Sequence, residues 1–321
     1  MIDSFYQMYD TIHFWLARND ADADIEAVAN KLEQSKDMAN RDTGEVVSFG
    51  KLDNLKVAVS MSGVSIKGSL AKFYLPDNTY TLNRQQAKEA IEKLSDSLSL
   101  SVDRARITRI DISTNFVMRH PAKLYFDMLG DCRYYNRQQA TPHTLYYHLK
   151  GIDCKRSMCF YDKAREVKAH NGIIPDIFVG ENLLRYESRW CTRLAQQFKE
   201  PEITGATLYN RSFYIKALKM WGANYFSIQK KKQLRNDAMN DIRTVKDATN
   251  FICAYALGRL KPDEVLHILE ELKANKVFKH PEYYTQLKRK INSLCSNTKG
   301  MENSDLIKEL DSEIKNILVH G

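Results

Sequence analysis

Residues 106–116 read Arg106-Ile107-Thr108-Arg109-Ile110-Asp111-Ile112-Ser113-Thr114-Asn115-Phe116. Apolar, β-branched and polar side chains alternate strictly, which is the period of a strand with two unlike faces. Ile110, Ile112, Thr114 and Phe116 share one face with Thr108, and Arg109, Asp111, Ser113 and Asn115 share the other with Ile107. An aspartate is disfavoured in mid-strand. Beside Arg109 on a polar face, Asp111 reads either as a metal ligand or as half of a buried salt bridge.

Other segments carry the same pattern. Thr144-Leu145-Tyr146-Tyr147-His148-Leu149-Lys150 puts Leu145, Tyr147 and Leu149 toward a core. Its other face carries Thr144, Tyr146, His148 and Lys150: a hydroxyl, a phenol, an imidazole and an ammonium in a row. Asp10 to Arg18 places Ile12, Phe14 and Leu16 on one face and Thr11, His13 and Trp15 on the other. In Leu183 to Trp190, Leu184, Tyr186, Ser188 and Trp190 alternate with Arg185, Glu187 and Arg189. Glu187 between two arginines is either a second acid aimed at the polar face or one rung of a surface ion-pair ladder.

Val46 to Phe49, Leu55 to Met61 and Val64 to Tyr74 read as a meander of strands, and Arg156 to Lys163 as the hairpin partner of the Tyr146 strand. Arg84 to Leu98 has a helical apolar stripe with Asn83 as N-cap. Asp20 to Met38 also has helical spacing. Cys132 to Gln139 reads as a polar, Tyr-rich connection, and Ala164 to Ile174 as a charged link. From about Thr192 the pattern turns helical, including Asn224 to Ala238 with the basic cluster Lys230, Lys231 and Lys232. That cluster is either a solvated charged face or a grip on an anionic partner.

The fold class expected is α+β: a mainly antiparallel sheet with helices on one face, followed by a helical C-terminal region. Residues 1–215 form the first expected unit and residues 216–321 the second, for DNA binding or oligomerisation. The 321 residues carry 48 Lys plus Arg against 40 Asp plus Glu, a net charge of +8. This favours an acidic partner such as nucleic acid. No apolar run approaches the ~18 residues of a bilayer span, and Met1-Ile2-Asp3-Ser4 lacks a signal pattern, so the expectation is a soluble, cytoplasmic protein. The six cysteines form no Cys-x-x-Cys pair and read as reduced thiols. There is no Gly-x-x-x-x-Gly-Lys loop, so a helicase would be a separate host partner.

Asp111, Glu187, Tyr146 and His148 could meet on one sheet face. Two carboxylates suit Mg²⁺ or Mn²⁺, and a tyrosine hydroxyl can attack phosphorus to form a covalent ester. Arg109, Arg185, Arg189 and Lys150 would surround the phosphates, and the Lys230 cluster would hold the rest of the DNA.

These residues carry a resemblance to the filamentous-phage gene II-type replication initiators and the related rolling-circle Rep nickases of plasmids and mobile elements. Met1-Ile2-Asp3 opens the chain. Thr108-Arg109-Ile110-Asp111 resembles the family's Arg-Ile-Asp strand, the Tyr146 strand its nucleophile strand, and Leu184-Arg185-Tyr186-Glu187-Ser188-Arg189 its Arg-Phe/Tyr-Glu-x-Arg strand. Tyr161-Asp162-Lys163 is similar to a Tyr-Asp-Lys signature of the plasmid relatives, which adds Lys163 to the DNA-contacting candidates. The resemblance spans roughly residues 1 to 215. It implies a DNA endonuclease and strand transferase in a bacterial host. This enzyme nicks one strand at a replication origin with a divalent metal, leaving a 5′-phosphotyrosyl link and a free 3′-hydroxyl. Matched to the phage proteins, the attacking position falls on His148; the plasmid pattern places it on Tyr146. Tyr146 is preferred, then Tyr147, then Tyr161. The His-apolar-His metal motif of other nickases is absent, which leaves Asp111 and Glu187 as metal candidates. The rivals are a mobilisation relaxase, a DNA-binding regulator without chemistry and an RNA-binding protein. Origin DNA is the expected partner, and a homodimer an open one.

Overall fold

A computed structural model describes residues 8–21, 24–39, 42–76, 79–151 and 155–320. The Met1-Ile2-Asp3 match and Cys154 lie outside them. The first strands are β1 (Tyr9–Ala17), β2 (Glu33–Ala39), β3 (Val46–Leu52), β4 (Leu55–Ser60), β5 (Gly63–Ser69) and β6 (Arg106–Met118). They are followed by β7 (Leu129–Cys132), β8 (Tyr135–Thr141), β9 (Thr144–Leu149), β10 (Arg156–Asp162) and β11 (Asn182–Cys191). Ten of these make one antiparallel sheet in the order β2-β3-β4-β5-β1-β6-β11-β10-β9-β8. The expected α+β class is therefore what the chain adopts. Two small pairs complete the strands: β12 (Ile228–Lys230) with β7, and β13 (Lys232–Leu234) with β14 (Met301–Asn303).

Helices of the first half are α1 (Glu26–Ala29), α2 (Leu70–Tyr74), α3 (Arg84–Leu98), α4 (Ala122–Phe126) and α5 (Lys163–Ala169). Then come α6 (Leu194–Phe198), α7 (Gly205–Leu208), α8 (Arg211–Phe226), α9 (Val245–Arg259), α10 (Pro262–Ala274), α11 (Pro281–Asn297) and α12 (Asp305–His320). Helix α8 lays Trp221 on Tyr186 of β11 (ring centroids 4.9 Å apart) and on Phe116 of β6 (6.4 Å). Phe160 of β10 stacks on Tyr186 at 4.4 Å. The core therefore lies between one sheet face and a helical layer, and burying each such ring contributes roughly 1.5–3 kcal/mol. The opposite face keeps the polar residues, with α5 standing at its rim against β10 and β11.

Several local expectations change. Only Glu26–Ala29 of the Asp20–Met38 segment is helical; Glu33–Ala39 is an exposed edge strand against β3. Alternating charge on an edge strand mimics a solvated helix face, and it also blunts edge-to-edge pairing. The Cys132–Gln139 connection contains β8, the charged link contains α5, and Leu70–Tyr74 is α2 rather than strand. Ile107 does not share the polar face: the β1–β6 register shifts beside Thr108, so Ile107 pairs with Phe14 and is buried in the core. One extra residue in a strand turns every later side chain over.

The N-cap expectation is met. Asn83 accepts from the Gln86 backbone N–H at 2.8 Å, and the Gln86 side chain accepts from the Asn83 N–H at 3.0 Å. Gly63, at the β4–β5 turn, has φ +153°, and a Cβ there would sit 2.2 Å from the Leu16 carbonyl oxygen. Among the described residues, no helix is long and apolar enough to cross a membrane. Cys132, Cys159, Cys191, Cys253 and Cys295 are all free thiols.

Candidate nucleic-acid site on the open sheet face

Residues opposite each other in an antiparallel pair project to the same side, so the strand registers assemble the polar face in rows. One row runs Asp111, Arg189, Ser157, His148, Asn136 across β6, β11, β10, β9 and β8. The next runs Ser113, Glu187, Cys159, Tyr146, Gln138, and a third Asn115, Arg185, Tyr161, Thr144. Tyr146, His148, Asp111 and Glu187 thus share a single sheet face.

The two acids are held by two arginines. Arg109 donates through Nε to Asp111 Oδ1 at 2.8 Å and through Nη2 to Oδ2. Arg189 donates through Nε to Asp111 Oδ2 at 3.2 Å and through Nη2 to Glu187 Oε1 at 2.8 Å. Asp111 and Glu187 are buried, whereas the Arg189 side chain is 35% exposed. Burial raises the Asp111 carboxyl above the usual carboxylate range. The bond from Arg109 opposes the rise, and the Glu187 charge adds to it. The salt-bridge reading of Asp111 is thus what the structure contains, and the ladder around Glu187 is buried rather than superficial. Among the described residues, no three His, Cys, Asp or Glu side chains gather to hold a metal ion.

Tyr146 is half-buried and stacks on His148, with ring centroids 5.3 Å apart and planes at 20°. It lines an open cavity of about 580 Å³ with Cys159, Tyr161, Glu187, Arg189 and residues of α5. The Cys159 thiol first, and burial second, raise the phenol's pKa; Arg189 pulls it down. Tyr147 points the other way and is fully buried, its hydroxyl donating to the Gly130 carbonyl at 2.8 Å. It is a core residue and not on the face that Tyr146 and His148 share. Tyr161 faces the cavity, and burial pushes its pKa well up.

The remaining expected DNA contacts are corrected by their surroundings. Arg185 is fully buried and donates through Nη2 to Asp10 Oδ2 at 2.6 Å and to Ser113 Oγ at 2.7 Å. It stands in the third row of the same face and braces the site from the side through Asp10 and Ser113. Lys163 is buried and paired with Glu166 at 2.7 Å, while Asp162 caps α5 through the Arg165 N–H at 3.0 Å. Lys150 lies beyond the end of β9 and lines a different cleft.

The triple lysine is not on a helix, because α8 stops at Phe226. The Lys230 ammonium donates to the Tyr225 and Ile228 carbonyls at 2.7 and 2.8 Å and lies over the Tyr225 ring, 3.9 Å from its centroid. Burial pushes it down to about 7. Lys231 and Lys232 donate to the Leu260 and Ser296 carbonyls. Carbonyls exposed near helix ends attract ammonium groups, so all three lysines are used inside the fold.

The sequence reading passed over His13, Asp10 and Cys159. His13 pairs with Arg109 across β1 and β6 on the open face. Burial, then Arg109, Lys67 and Arg189, lower its pKa to about 4, so it is neutral at pH 7. The alternation of β1 had already placed it on the polar side. Only the sheet order showed which neighbours it meets there.

The molecule is thus an α+β protein whose antiparallel sheet gathers phenols, buried acids and arginines on its uncovered face. Residues 8–221 match the family described as the N-terminal part of the gene II-type replication-associated protein, and the chain belongs to that family. Among solved structures it resembles a rolling circle replication initiator protein from Geobacillus stearothermophilus, at 15% identity and a TM-score of 0.39. That likeness covers 71% of this chain and 88% of the other. No curated protein matches it.

Proposed function

We propose that this chain initiates rolling-circle replication by nicking one strand of origin DNA, with Tyr146 as nucleophile. The observation that carries the reading is the shared cavity of Tyr146, Glu187 and Arg189, with Arg189 joining Glu187 to Asp111. The Tyr146 oxygen forms a bond to phosphorus, and the bond from phosphorus to the 3′-oxygen breaks. The phenolic proton leaves to solvent through the open cavity, and the departing oxygen takes up a proton to become the 3′-hydroxyl. The 5′-phosphate remains esterified to the tyrosine, which conserves the energy for rejoining. Arg189, exposed on one side, would pair with the phosphate.

Mg²⁺ takes one or two carboxylates and completes its shell with water and phosphate oxygens. Asp111 and Glu187 meet that requirement in number and chemistry only once Arg189 turns to the phosphate and Arg109, which bonds both Asp111 oxygens, releases one of them. They would hold such an ion, and it would supply charge stabilisation at the phosphoryl oxygens.

The test is incubation of the full chain with supercoiled DNA of its own replicon and Mg²⁺ or Mn²⁺, followed by a denaturing gel. The wild type yields a covalent protein–DNA band; Tyr146→Phe yields none while retaining DNA binding. An undiminished band from Tyr146→Phe would overturn the assignment. The neutralisation of both acids by arginine favours a second reading, a DNA-binding regulator without chemistry. Binding by the wild type with no adduct under any metal would support that one.

A further inference from the structure

A second polar feature begins where the site's first row ends. Asn136, opposite His148 at the β8–β9 edge, lines a cleft of about 1140 Å³ between that edge and helices α10 and α11. The cleft is basic. Arg133, Lys150, Lys273 and Arg289 line it, and none has an ion-pair partner among the described residues. Arg137 and Lys288 also line it but are neutralised by Asp263 and Asp131.

At its mouth stands the turn between β7 and β8. Tyr134 has φ +68°, a left-handed backbone that glycine or asparagine adopts at little cost and a tyrosine does not. The residue is 61% exposed, with the Arg133 guanidinium 4.6 Å from the ring centroid. A strained backbone that holds a bare aromatic ring in solvent contributes nothing to the core. It does present a stacking surface beside unpaired cations.

We propose that this cleft binds single-stranded DNA flanking the position addressed by Tyr146, with a base stacked on Tyr134 and backbone phosphates on Lys150, Lys273 and Arg289. Aromatic platforms with a basic groove are the chemistry that recognises an unpaired strand, because every base has a π-face and every linkage a charge. The row Asp111, Arg189, Ser157, His148, Asn136 connects the two regions across the sheet. The proposal replaces the Lys230 cluster, whose ammonium groups are occupied, as the basic grip of the C-terminal part. It rests on the nicking reading only for the identity of the strand.

The test is fluorescence anisotropy of the full chain with a labelled oligothymidylate, without metal, over a series of salt concentrations. Tyr134→Gly relieves the backbone strain, so the variant folds; its affinity is expected to fall about tenfold through loss of base stacking. Lys150→Ala/Arg289→Ala is expected to make the salt slope shallower by about 1.4, from about 0.7 per phosphate contact on a single strand. Polyglutamate of equal length is expected not to compete. Unchanged affinity and slope in both variants, competition by polyglutamate as strong as by unlabelled oligothymidylate, or an equal affinity loss by both variants when a labelled blunt duplex replaces the oligothymidylate would each overturn the proposal. These readouts are of binding alone, so a missing covalent adduct would sink the nicking reading and leave the cleft untouched.

Discussion

Arg185 shows how one residue can change meaning between sequence and structure. In the sequence it flanks Glu187 and looks like a phosphate contact. In the fold it is fully buried between β6 and β10, paired with Asp10 and Ser113. Removing one partner of a buried pair strands the other charge and typically costs about 3–5 kcal/mol. Arg185→Ala should therefore be severely destabilised in urea unfolding, whereas Asp10→Asn/Arg185→Met should recover much of the loss. His13 yields a pH prediction. Its folded pKa, about 4, lies below the ordinary value of 6.5, so the unfolded chain binds the proton more readily. Its contribution to stability is intact above pH 6.5 and is lost as pH falls toward 4. His13→Gln should flatten the stability profile in that window. Direct NMR titration of the imidazole should show no protonation above about pH 5.

Elements are governed by their ends and faces. The reciprocal capping of α3 by Asn83 and Gln86 satisfies two donors that the first turn would otherwise leave open. Asn83→Ala should lower stability by about 1 kcal/mol without touching the open face, measurable as a shift in the urea midpoint at constant slope. Helix α3 was legible because caps, stripe and length agree within one local segment. The Asp20–Met38 segment was not: its apolar spacing fits a helix, but pairing with β3 claims Glu33–Ala39. Local propensity is a weak prior against a ladder partner that lies later in the chain.

At the scale of the molecule, the boundary expected at residue 215 falls inside α8, and the family match ends at residue 221. Helix α12, from the end of the chain, returns to the same core: Ile307, Leu310 and Ile314 are buried in it, and Tyr225 and Tyr125 donate to Asp311 (2.7 Å) and Glu309 (2.6 Å). At Gly222 a Cβ would lie 2.6 Å from the Leu318 side chain, so α8 and α12 are in close contact. Truncation after residue 221 should give a chain that fails to unfold cooperatively, and Leu310→Ala should cost about 2–5 kcal/mol. A truncated protein with a wild-type melting transition would show that the first part folds alone.

The alternation in β1, β6, β9 and β11 determined that these segments are strands and, apart from Ile107 beyond the β6 bulge and Lys150 beyond the end of β9, which side chains stand on the polar side, because side-chain direction along a strand has a local period of two. Tertiary structure alone decided who meets whom there. It put arginines on both acids, turned Lys230, Lys231 and Lys232 inward and buried Arg185. It also opened a basic cleft where β8, α10 and α11 converge. Charge pairing depends on distances of a few ångströms between strands far apart in the chain, and no local period encodes those distances.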